Sequence, residues 1–524
     1  MNQPMTIICP LCNDAVEKLL YRYHIDSERQ VIEKIRQANP HWSEEDGICS
    51  RCVDYYHTEL VLQRRMLPEI GPHFPVRSAD DFIILPTGLR LNADPRFTGK
   101  GITICFIDSD FYPHSDLTAI KNRVMAIVDI PNDRMIADEH VVLSWHGTMT
   151  TVVCAGDGYL SNGLYKGIAC DAELVLLKVE DNARQIRDEN IVKALEWILQ
   201  HHDRYHIRIV NISVSGEEMT SYRRSQIDTL AEQLIALGIV VVAAVGNDTA
   251  GMIKAPANSP NVIAVGGIDD GNRLGEAEQK LYHSTFGKTV DGIMKPELVA
   301  HAAWIAAPIL PGTKEQKEAA ELYEQLHATD NEHRQAILRR IQSCKYISPH
   351  YMHVDGTSFA APIVTAVIAQ LLEIDPALTP AMVRSLVLST ARRIHSAPAE
   401  RQGFGMIQPR KAVIRSLGAP VSVPPESSPL INTKQRTIGF RIQHEYATQI
   451  SLAGSFNQWA NDELFLEPCR DGIWTIEIPL LPPGRYEYKF FVDDTSWIED
   501  IYNLYREPDG FAGFNSVLII PELS

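Results

Sequence analysis

Between residues 101 and 245 the chain alternates short runs of Val, Ile, Leu and Ala with segments of helical periodicity. The pattern predicts strands at 101–107, 173–179, 207–214 and 239–245, separated by helices at 146–155, 189–201 and 221–237. Strands that are apolar along their whole length have both faces covered, which requires parallel strands with helices on each side. The sequence therefore predicts an α/β fold with a doubly wound, mostly parallel sheet. Ligands of such sheets bind beyond the carboxyl ends of the strands.

Four polar residues occupy positions suited to acyl-transfer chemistry. Asp108 follows the first predicted strand, Asn247 follows the last, and His146 opens a helical stretch. Ser358 lies in the octapeptide 355–362, Asp-Gly-Thr-Ser-Phe-Ala-Ala-Pro, just ahead of a long apolar run. A Ser at a helix start lies near unpaired N–H groups and the positive end of the helix dipole, where negative charge can develop. The chain order Asp, His, Ser is the order found in subtilisin.

With these residues, about residues 85 to 415 resemble a subtilisin-like serine peptidase domain. Segments 114–117, 210–216, 261–266 and 295–300 are also similar to family signatures. The resemblance implies that Ser358 is the nucleophile, that His146 is the general base and that Asp108 orients the imidazole. It also implies that Asn247 donates to the oxyanion and that the family's calcium sites are to be considered.

The resemblance further implies that extended substrate pairs with the segment after the third strand. The implied substrate-binding residues are Ser213, Val214, Ser215, Gly216, Ala244 and Gly246. Two positions depart from the family pattern, since Asp110 and Ser215 stand where Gly is usual. Asp110 is expected to crowd the Asp108–His146 pair, which leaves a peptide-binding pseudoprotease as an alternative.

Charge and cysteine content bear on partners and location. The 524 residues carry a net charge of −17, which argues against general nucleic-acid binding and against an anionic membrane surface. No stretch approaches twenty continuous apolar residues, and residues 1–9 do not read as a secretory signal. Nine scattered cysteines fit a reducing compartment better than a disulfide framework. We therefore expect a cytoplasmic protein with neither nucleic acid nor membrane as a partner.

Two Cys-x-x-Cys pairs lie near the N-terminus. Cys9 and Cys12 form the first pair, and Cys49 and Cys52 form the second. Two such pairs complete a tetrahedral thiolate site, so the sequence predicts a structural zinc ion, with a redox-active pair as the weaker alternative. A helical pattern over residues 14–38 separates the pairs.

The C-terminal residues follow a different pattern. Residues 419–433 read as a Pro- and Ser-rich linker, and the rest contains short alternating strands typical of a β-sandwich, predicted as immunoglobulin-like. From about residue 434, Gly454–Trp459 and Tyr486–Asp493 resemble the glycogen-binding module of AMP-activated kinase β subunits. The resemblance implies sugar contacts by Trp459, Lys489, Trp497 and Asn515, although such modules also dock proteins.

The predicted organisation has four parts: a zinc module with its connector (1–80), a peptidase domain (81–418), the linker (419–433) and a sandwich (434–524). A helical insertion at 311–343 reads as a surface decoration or as a partner surface near the Ser358 loop. The favoured hypothesis is a narrow-specificity intracellular serine endopeptidase that its flanking domains target or regulate. It would cleave polypeptide substrates and engage glycogen, another α-glucan or a protein partner. The alternatives are the pseudoprotease and an α-glucan-binding scaffold.

Overall fold

The computed structural model describes most of the chain, in these ranges: residues 7–11, 15–16, 29–43, 46–48, 52, 56, 84–136, 145–273, 279–328, 331–395, 397–418, 428–444, 446–469, 472–511 and 513–521. These ranges include every residue predicted for catalysis, peptide binding and sugar binding. Two of the four predicted zinc ligands, Cys12 and Cys49, lie outside the described residues, as does most of the predicted connector before residue 84.

The central sheet contains nine of the described strands. Its order is β10-β9-β8-β7-β3-β6-β4-β5, and β13 also pairs with β9. The strands are β3 (Thr103–Asp108), β4 (Val124–Asp129), β5 (Arg134–Met135), β6 (Glu173–Lys178), β7 (Ile207–Ile212), β8 (Val240–Ala244), β9 (Ile263–Asp269), β10 (Lys280–Leu281) and β13 (Leu298–His301). All neighbours pair in parallel except β5 and β10, which are antiparallel additions. This confirms the predicted mostly parallel sheet.

Helices cover both faces of this sheet. The described α-helices are α1 (Arg29–Ala38), α2 (Thr87–Arg90), α3 (Ser115–Thr118), α4 (His146–Ala155), α5 (Asp188–Tyr205), α6 (Gln226–Ala236), α7 (Lys314–Ala328), α8 (Asn331–Ser343), α9 (Thr357–Ile374), α10 (Pro380–Ser389), α11 (Ala399–Gln402) and α12 (Pro409–Gly418). One apolar core lies between the sheet and α4, α9, α10 and α12, and a second lies between the sheet and α5 and α6. Two faces with separate cores explain why the strands are apolar throughout.

One predicted helix begins later than the sequence pattern indicated. α6 starts at Gln226 rather than at 221, because Ser225 caps it by accepting a hydrogen bond from the Asp228 N–H (3.2 Å). Within the pattern over 14–38, the described residues contain a helix at Arg29–Ala38. Ala15 and Val16 form β2 (Ala15–Val16), which pairs with β1 (Ile7–Ile8) in a hairpin.

Helix α9 is the one described helix that is long and apolar enough to cross a membrane. Within its apolar window, 83% of the residues are buried. The core helix of a globular domain passes the same test, and α9 packs along β7, β8, β9 and β13.

The helical insertion lies directly before the Ser358 loop. α7 and α8 stand between β14 (Ile305–Pro308) and β15 (Tyr351–Val354), which pair with each other in antiparallel fashion. The two helices bury a small apolar cluster of their own, formed by Ile309, Ala319, Tyr323, Leu326, Leu338, Ile341 and Tyr346. After α8, Lys345 forms a salt bridge with Asp355, three residues before Ser358.

The C-terminal region is a pair of packed sheets. One sheet has the order β16-β17-β20-β19, and the other has β18-β21-β24-β23 with β22 also paired to β21. The strands are β16 (Leu430–Asn432), β17 (Thr437–Gln443), β18 (Ile450–Gly454), β19 (Glu467–Pro468), β20 (Ile473–Pro479), β21 (Gly484–Val492), β22 (Ser496–Ile498), β23 (Arg506–Pro508) and β24 (Phe514–Ile520). Side chains from both sheets form one core, which makes this region a sandwich. Its immunoglobulin-like character stays a prediction.

The sandwich packs against the peptidase domain through a buried arginine. The Arg506 guanidinium donates to the carbonyls of Met294 (3.3 Å) and Pro296 (3.1 Å). It also lies over the rings of Phe404 (4.4 Å) and Phe514 (4.6 Å). Met294 belongs to β12 (Met294–Lys295), which pairs with β11 (Gly287–Lys288) in a hairpin of the peptidase domain. The sandwich is therefore held in a defined position rather than only tethered.

Candidate active site

Asp108 and His146 form a hydrogen-bonded pair at the carboxyl edge of the sheet. β3 ends at the fully buried Asp108, and α4 begins at His146. The His146 Nδ1 and Asp108 Oδ1 atoms are 2.6 Å apart. Burial of the imidazole alone would lower the pKa of His146, but the charge and hydrogen bond of Asp108 outweigh it and raise that pKa. The carboxylate thus favours a protonated imidazole, as a general base requires once it has taken a proton.

The second Asp108 oxygen has a partner that the sequence reasoning missed. Thr150 donates its hydroxyl to Asp108 Oδ2 (3.0 Å), and the Ser109 N–H donates to Oδ1 (2.7 Å). Thr150 lies four residues after His146 on α4, so both side chains point to the same side of the helix. That spacing was visible in the sequence and would have predicted the contact.

Gly147 allows α4 to approach β3 closely enough for this pair to form. A Cβ atom at residue 147 would lie 2.3 Å from the Asp110 carbonyl oxygen and 3.0 Å from the Asp108 Cβ. Real Cβ atoms essentially never approach another atom as closely as 2.3 Å, and 3.0 Å is tighter than most real Cβ contacts. The Gly after the histidine is therefore required by packing.

Ser358 lies at the start of α9, facing the end of β7. The helix begins at Thr357, and the half-buried Ser358 hydroxyl donates to the Ser213 carbonyl at 3.5 Å. Phe359 brings this turn beside His146, with the two ring centroids 6.0 Å apart. Within the described residues the hydroxyl is in hydrogen-bond range of Ser213 rather than of His146. Such catalytic contacts are often long before substrate binds.

Asn247 is oriented by Thr357, the residue before Ser358. Its side-chain oxygen accepts hydrogen bonds from the Thr357 N–H (2.8 Å) and the Thr357 hydroxyl (2.9 Å). Two donors on the oxygen fix which end of the amide is the nitrogen. The Asn247 Nδ2 atom faces the space over Gly356, where a Cβ atom would be 3.7 Å away. Asn247 can therefore donate toward a carbonyl oxygen held at Ser358.

The predicted peptide-binding residues are brought together around Ser358. Ser213–Gly216 continue from β7, and the Ser213 hydroxyl donates to the Ser358 carbonyl (3.1 Å). The Gly216 N–H donates to the Ala255 carbonyl (2.8 Å). Ala244 ends the neighbouring strand β8, and Gly246 has φ +103°, a conformation that L side chains rarely adopt.

Asp110, the departure from the family pattern, is buried beside the pair. Its side chain is 2% exposed, and Oδ1 accepts a hydrogen bond from the Phe111 N–H (2.8 Å). Burial raises the pKa of Asp110 to about 6. The 2.6 Å contact between Asp108 and His146 is present with Asp110 in place. The expected disturbance of that contact is not observed.

The four predicted sugar-contact residues lie on the outer face of the larger sheet of the sandwich. Trp459 and Trp497 meet edge to face with centroids 6.1 Å apart, and Trp497 is 44% exposed. The other two side chains already have acidic partners. Lys489 is buried in a salt bridge with Asp509, and Asn515 donates to Glu487 (2.9 Å). A sugar hydroxyl would have to share these groups with the carboxylates.

Phe511 is an aromatic residue of this region that the sequence reasoning missed. It is 91% exposed, and its N–H donates to Asp509 (2.7 Å), the partner of Lys489. An exposed aromatic ring beside a candidate sugar face can stack on the apolar face of a glucose ring. The sequence signal available for Phe511 was its position, four residues before the predicted sugar contact Asn515.

The two predicted zinc ligands that the structure describes lie together. Cys9 and Cys52 are buried, and their sulfur atoms are 4.0 Å apart, far too long for a disulfide bond. Two thiolates on one tetrahedral zinc ion, at about 2.3 Å each, are separated by roughly 3.8 Å. Within the described ranges, no group of three or more His, Cys, Asp or Glu side chains could hold a metal ion. Calcium stays a prediction.

Comparisons with known proteins match both main regions. The model of the Subtilase family matches residues 99–405, and that of the glycogen recognition site of AMP-activated protein kinase matches residues 439–520. "Serine protease AprX" of Bacillus subtilis is 27% identical over 325 residues, which are 60% of this chain and 67% of that protein. "Subtilisin-like protease 8" of Arthroderma benhamiae is 24% identical over 317 residues, 56% of this chain and 51% of that protein.

Among solved structures, fervidolysin from Fervidobacterium pennivorans, described as a keratinolytic enzyme related to subtilisin, is similar with a TM-score of 0.49 and 18% identity. The match covers 80% of this chain and 58% of that one. The family match spans more than half of the chain and contains Asp108, His146, Asn247 and Ser358. This confirms both predicted resemblances, and the chain belongs to the subtilase family of serine peptidases, with a glycogen-recognition module in its C-terminal region.

Proposed function

We propose that this protein is a serine endopeptidase of narrow specificity that hydrolyses peptide bonds with Asp108, His146, Ser358 and Asn247. Ser358 attacks the scissile carbonyl, and His146 takes its proton and returns it to the leaving amine. Asp108 stabilises the imidazolium, and Asn247 donates to the developing oxyanion. The extended substrate pairs with the segment Ser213–Gly216.

The observation that carries this proposal is the pair of oriented groups on either side of Ser358. The 2.6 Å contact of His146 with Asp108 fixes the imidazole, and two donors from Thr357 fix the Asn247 amide. A protein that only binds peptides has no need of either arrangement. Rotation of the Ser358 side chain away from the Ser213 carbonyl would complete the constellation.

Labelling with a fluorophosphonate probe tests the activity, because only an activated Ser reacts. We expect labelling of the wild-type protein and of the control Ser343→Ala, which changes an exposed Ser, and none of Ser358→Ala. Asn247→Ala should lower peptide turnover by about 10² to 10³, the range that removal of one oxyanion donor costs in subtilisin. Absence of labelling in the wild-type protein would favour the pseudoprotease.

We further propose that the sandwich binds α-glucan and so places the peptidase on glycogen or a related polymer. The Trp459–Trp497 pair offers rings for stacking, and the Arg506 contacts hold the sandwich against the peptidase. In glycogen co-sedimentation, Trp459→Ala and Trp497→Ala should each release the protein. Trp145→Ala, which changes an exposed Trp in the peptidase domain, should not. Equal pelleting of all variants would instead favour a protein-docking role for the sandwich.

A structural zinc ion is proposed for the N-terminal module, held by Cys9, Cys52 and the sequence-predicted partners Cys12 and Cys49. The 4.0 Å separation of the Cys9 and Cys52 sulfur atoms supports this proposal. Elemental analysis of the purified chain should find about one zinc, retained in Cys469→Ser, which changes an exposed cysteine, and lost in Cys9→Ser. A full zinc content in Cys9→Ser would contradict the site.

We propose a cytoplasmic location from the cysteine chemistry. The described cysteines outside the N-terminal module, Cys105, Cys154, Cys170, Cys344 and Cys469, form no disulfide. Fractionation of the producing cells tests this, and recovery of the protein from the medium would contradict it.

A further inference from the structure

A crevice opens beside Ser358 where two neighbouring strands of the sheet separate. β7 and β8 pair as far as Ile212 and Ala243. Beyond that point Ser213–Gly216 continue on one side, and Val245–Asn247 turn toward β9, where the Val245 N–H donates to the Val265 carbonyl (3.2 Å). Ser358 stands at the mouth of the crevice, through the contacts of Ser213 and Asn247 with the start of α9.

The far end of this crevice is closed by the segment that contains Lys254 and Ala255. The hydrogen bond from the Gly216 N–H to the Ala255 carbonyl (2.8 Å) joins this segment to the peptide-binding wall. The Lys254 side chain crosses the same end, since its Nζ donates to the Glu217 carbonyl at 2.9 Å. Several wall residues of this crevice have a small side chain or none, namely Ser213, Ser215, Gly216 and Gly246.

Lys254 places a positive charge at the end of this crevice, and its walls Ser213–Gly216 and Val245–Asn247 carry no charged side chain of their own. It is half-buried, and the partner of its ammonium group is a neutral backbone carbonyl rather than a carboxylate. Two acids lie near this end: Glu217, which meets Lys254 through its backbone carbonyl, and Asp188, which accepts a hydrogen bond from the Glu217 N–H (2.8 Å). An ammonium group can accommodate a second, charged acceptor in place of water.

A peptide paired with Ser213–Gly216 would present one side chain to this crevice. With its carbonyl carbon at Ser358 and its carbonyl oxygen at Asn247, the residue before the scissile bond lies between the two walls. We propose that Lys254 determines specificity at this position and selects peptides with an acidic side chain, Glu or Asp, on the N-terminal side of the cleaved bond. This inference rests on the proposed peptidase function and adds the charge of its substrate.

The test uses the peptides succinyl-Ala-Ala-Pro-X-p-nitroanilide with X as Glu, Gln or Lys. In the wild-type protein we expect kcat/KM for the Glu peptide to exceed that for the Gln peptide at least tenfold, with the Lys peptide the poorest. Lys254→Gln should reduce the Glu-to-Gln ratio to about one, and Lys254→Arg should keep it. Lys411→Gln, which removes an exposed lysine on α12, is the matched control and should leave the ratio unchanged.

A binding measurement keeps the inference separate from the activity. Calorimetry on the full-length Ser358→Ala protein uses acetyl-Ala-Ala-Pro-X-amide peptides, which need no turnover. The Glu peptide should bind at least fivefold more tightly than the Gln peptide, and adding Lys254→Gln should remove this difference. If the wild-type protein cleaves nothing but the binding difference is present, only the proposed function fails. A Glu-to-Gln ratio unaffected by Lys254→Gln, or preference for the Lys peptide, would overturn the inference.

Discussion

Replacement of Arg506 by Ala should loosen the sandwich from the peptidase domain. The guanidinium donates to two carbonyl oxygens, of Met294 and Pro296, and contacts two aromatic rings, those of Phe404 and Phe514. Phe514 lies in the sandwich itself, so only the Phe404 ring contact counts toward docking, at roughly 1 kcal/mol. Each hydrogen bond from a charged donor contributes roughly 1.5–3 kcal/mol. Burial opposes part of this, because it lowers the pKa of Arg506 to about 10. We expect a net loss of roughly 2–4 kcal/mol, which shifts docking by roughly 30- to 1,000-fold.

Hydrogen–deuterium exchange measured by mass spectrometry can detect this loosening directly. In Arg506→Ala, exchange should increase in the β11–β12 hairpin (residues 287–295) and in β23 and β24, while β6 stays protected. The control Arg339→Ala removes an exposed arginine on α8 and should change neither. Unchanged exchange of the hairpin in folded Arg506→Ala would refute the reasoning, because the interface would then not depend on these contacts.

Three further predictions concern the catalytic edge of the sheet. The pKa of Asp110 is raised from 3.8 to about 6, so the free energy of unfolding should fall as pH rises through that interval. Asp110→Asn should therefore stabilise the protein by roughly 1–3 kcal/mol at pH 7 but not at pH 4, as measured by urea titration. Gly147→Ala should lower kcat/KM by at least about 10²-fold, since its Cβ would meet the Asp110 carbonyl at 2.3 Å and displace His146; unchanged kinetics would contradict this. Asp108 raises the pKa of His146, so activity should fall as pH drops through that raised value. Asp108→Asn should move this acidic limb of the pH–activity profile to lower pH and reduce kcat by about 10⁴.

The sequence singled out the four candidate catalytic residues because each follows a local signal. Asp108 and Asn247 come after apolar strands, while His146 and Ser358 begin apolar helices. The sequence also predicted that they lie close together, because parallel strands present their carboxyl ends at one edge of the sheet. The alternating pattern after residue 434 likewise predicted the strands of a sandwich.

Long-range contacts account for what the sequence did not predict. The Asn247 amide is oriented by Thr357, 110 residues away, and Arg506 meets carbonyls more than 200 residues away. The predicted start of α6 was wrong for a similar reason. Ser221 donates to Asp291, 70 residues on, instead of beginning the helix. Neither periodicity nor composition contains information on such pairings.

Both folded additions to the peptidase domain contact segments that lead to the active site. The helical insertion reaches the Ser358 loop through the salt bridge of Lys345 with Asp355. The sandwich contacts the β11–β12 hairpin at Met294. Asp291 in that hairpin accepts hydrogen bonds from Ser221 and Tyr222, just beyond the segment Ser213–Gly216 that is predicted to bind peptide.

Contact alone does not establish coupling, which requires that a ligand bind two arrangements of the protein with different affinity. The sandwich has a basis for such a difference, because a sugar hydroxyl at Asn515 must compete with Glu487. Glu487 pairs with Arg485, which pairs with Glu507, the partner of Lys288 in the hairpin. Any coupling through this chain of charges must be reciprocal, so substrate bound at Ser358 would change glucan affinity by the same factor that glucan changes substrate affinity.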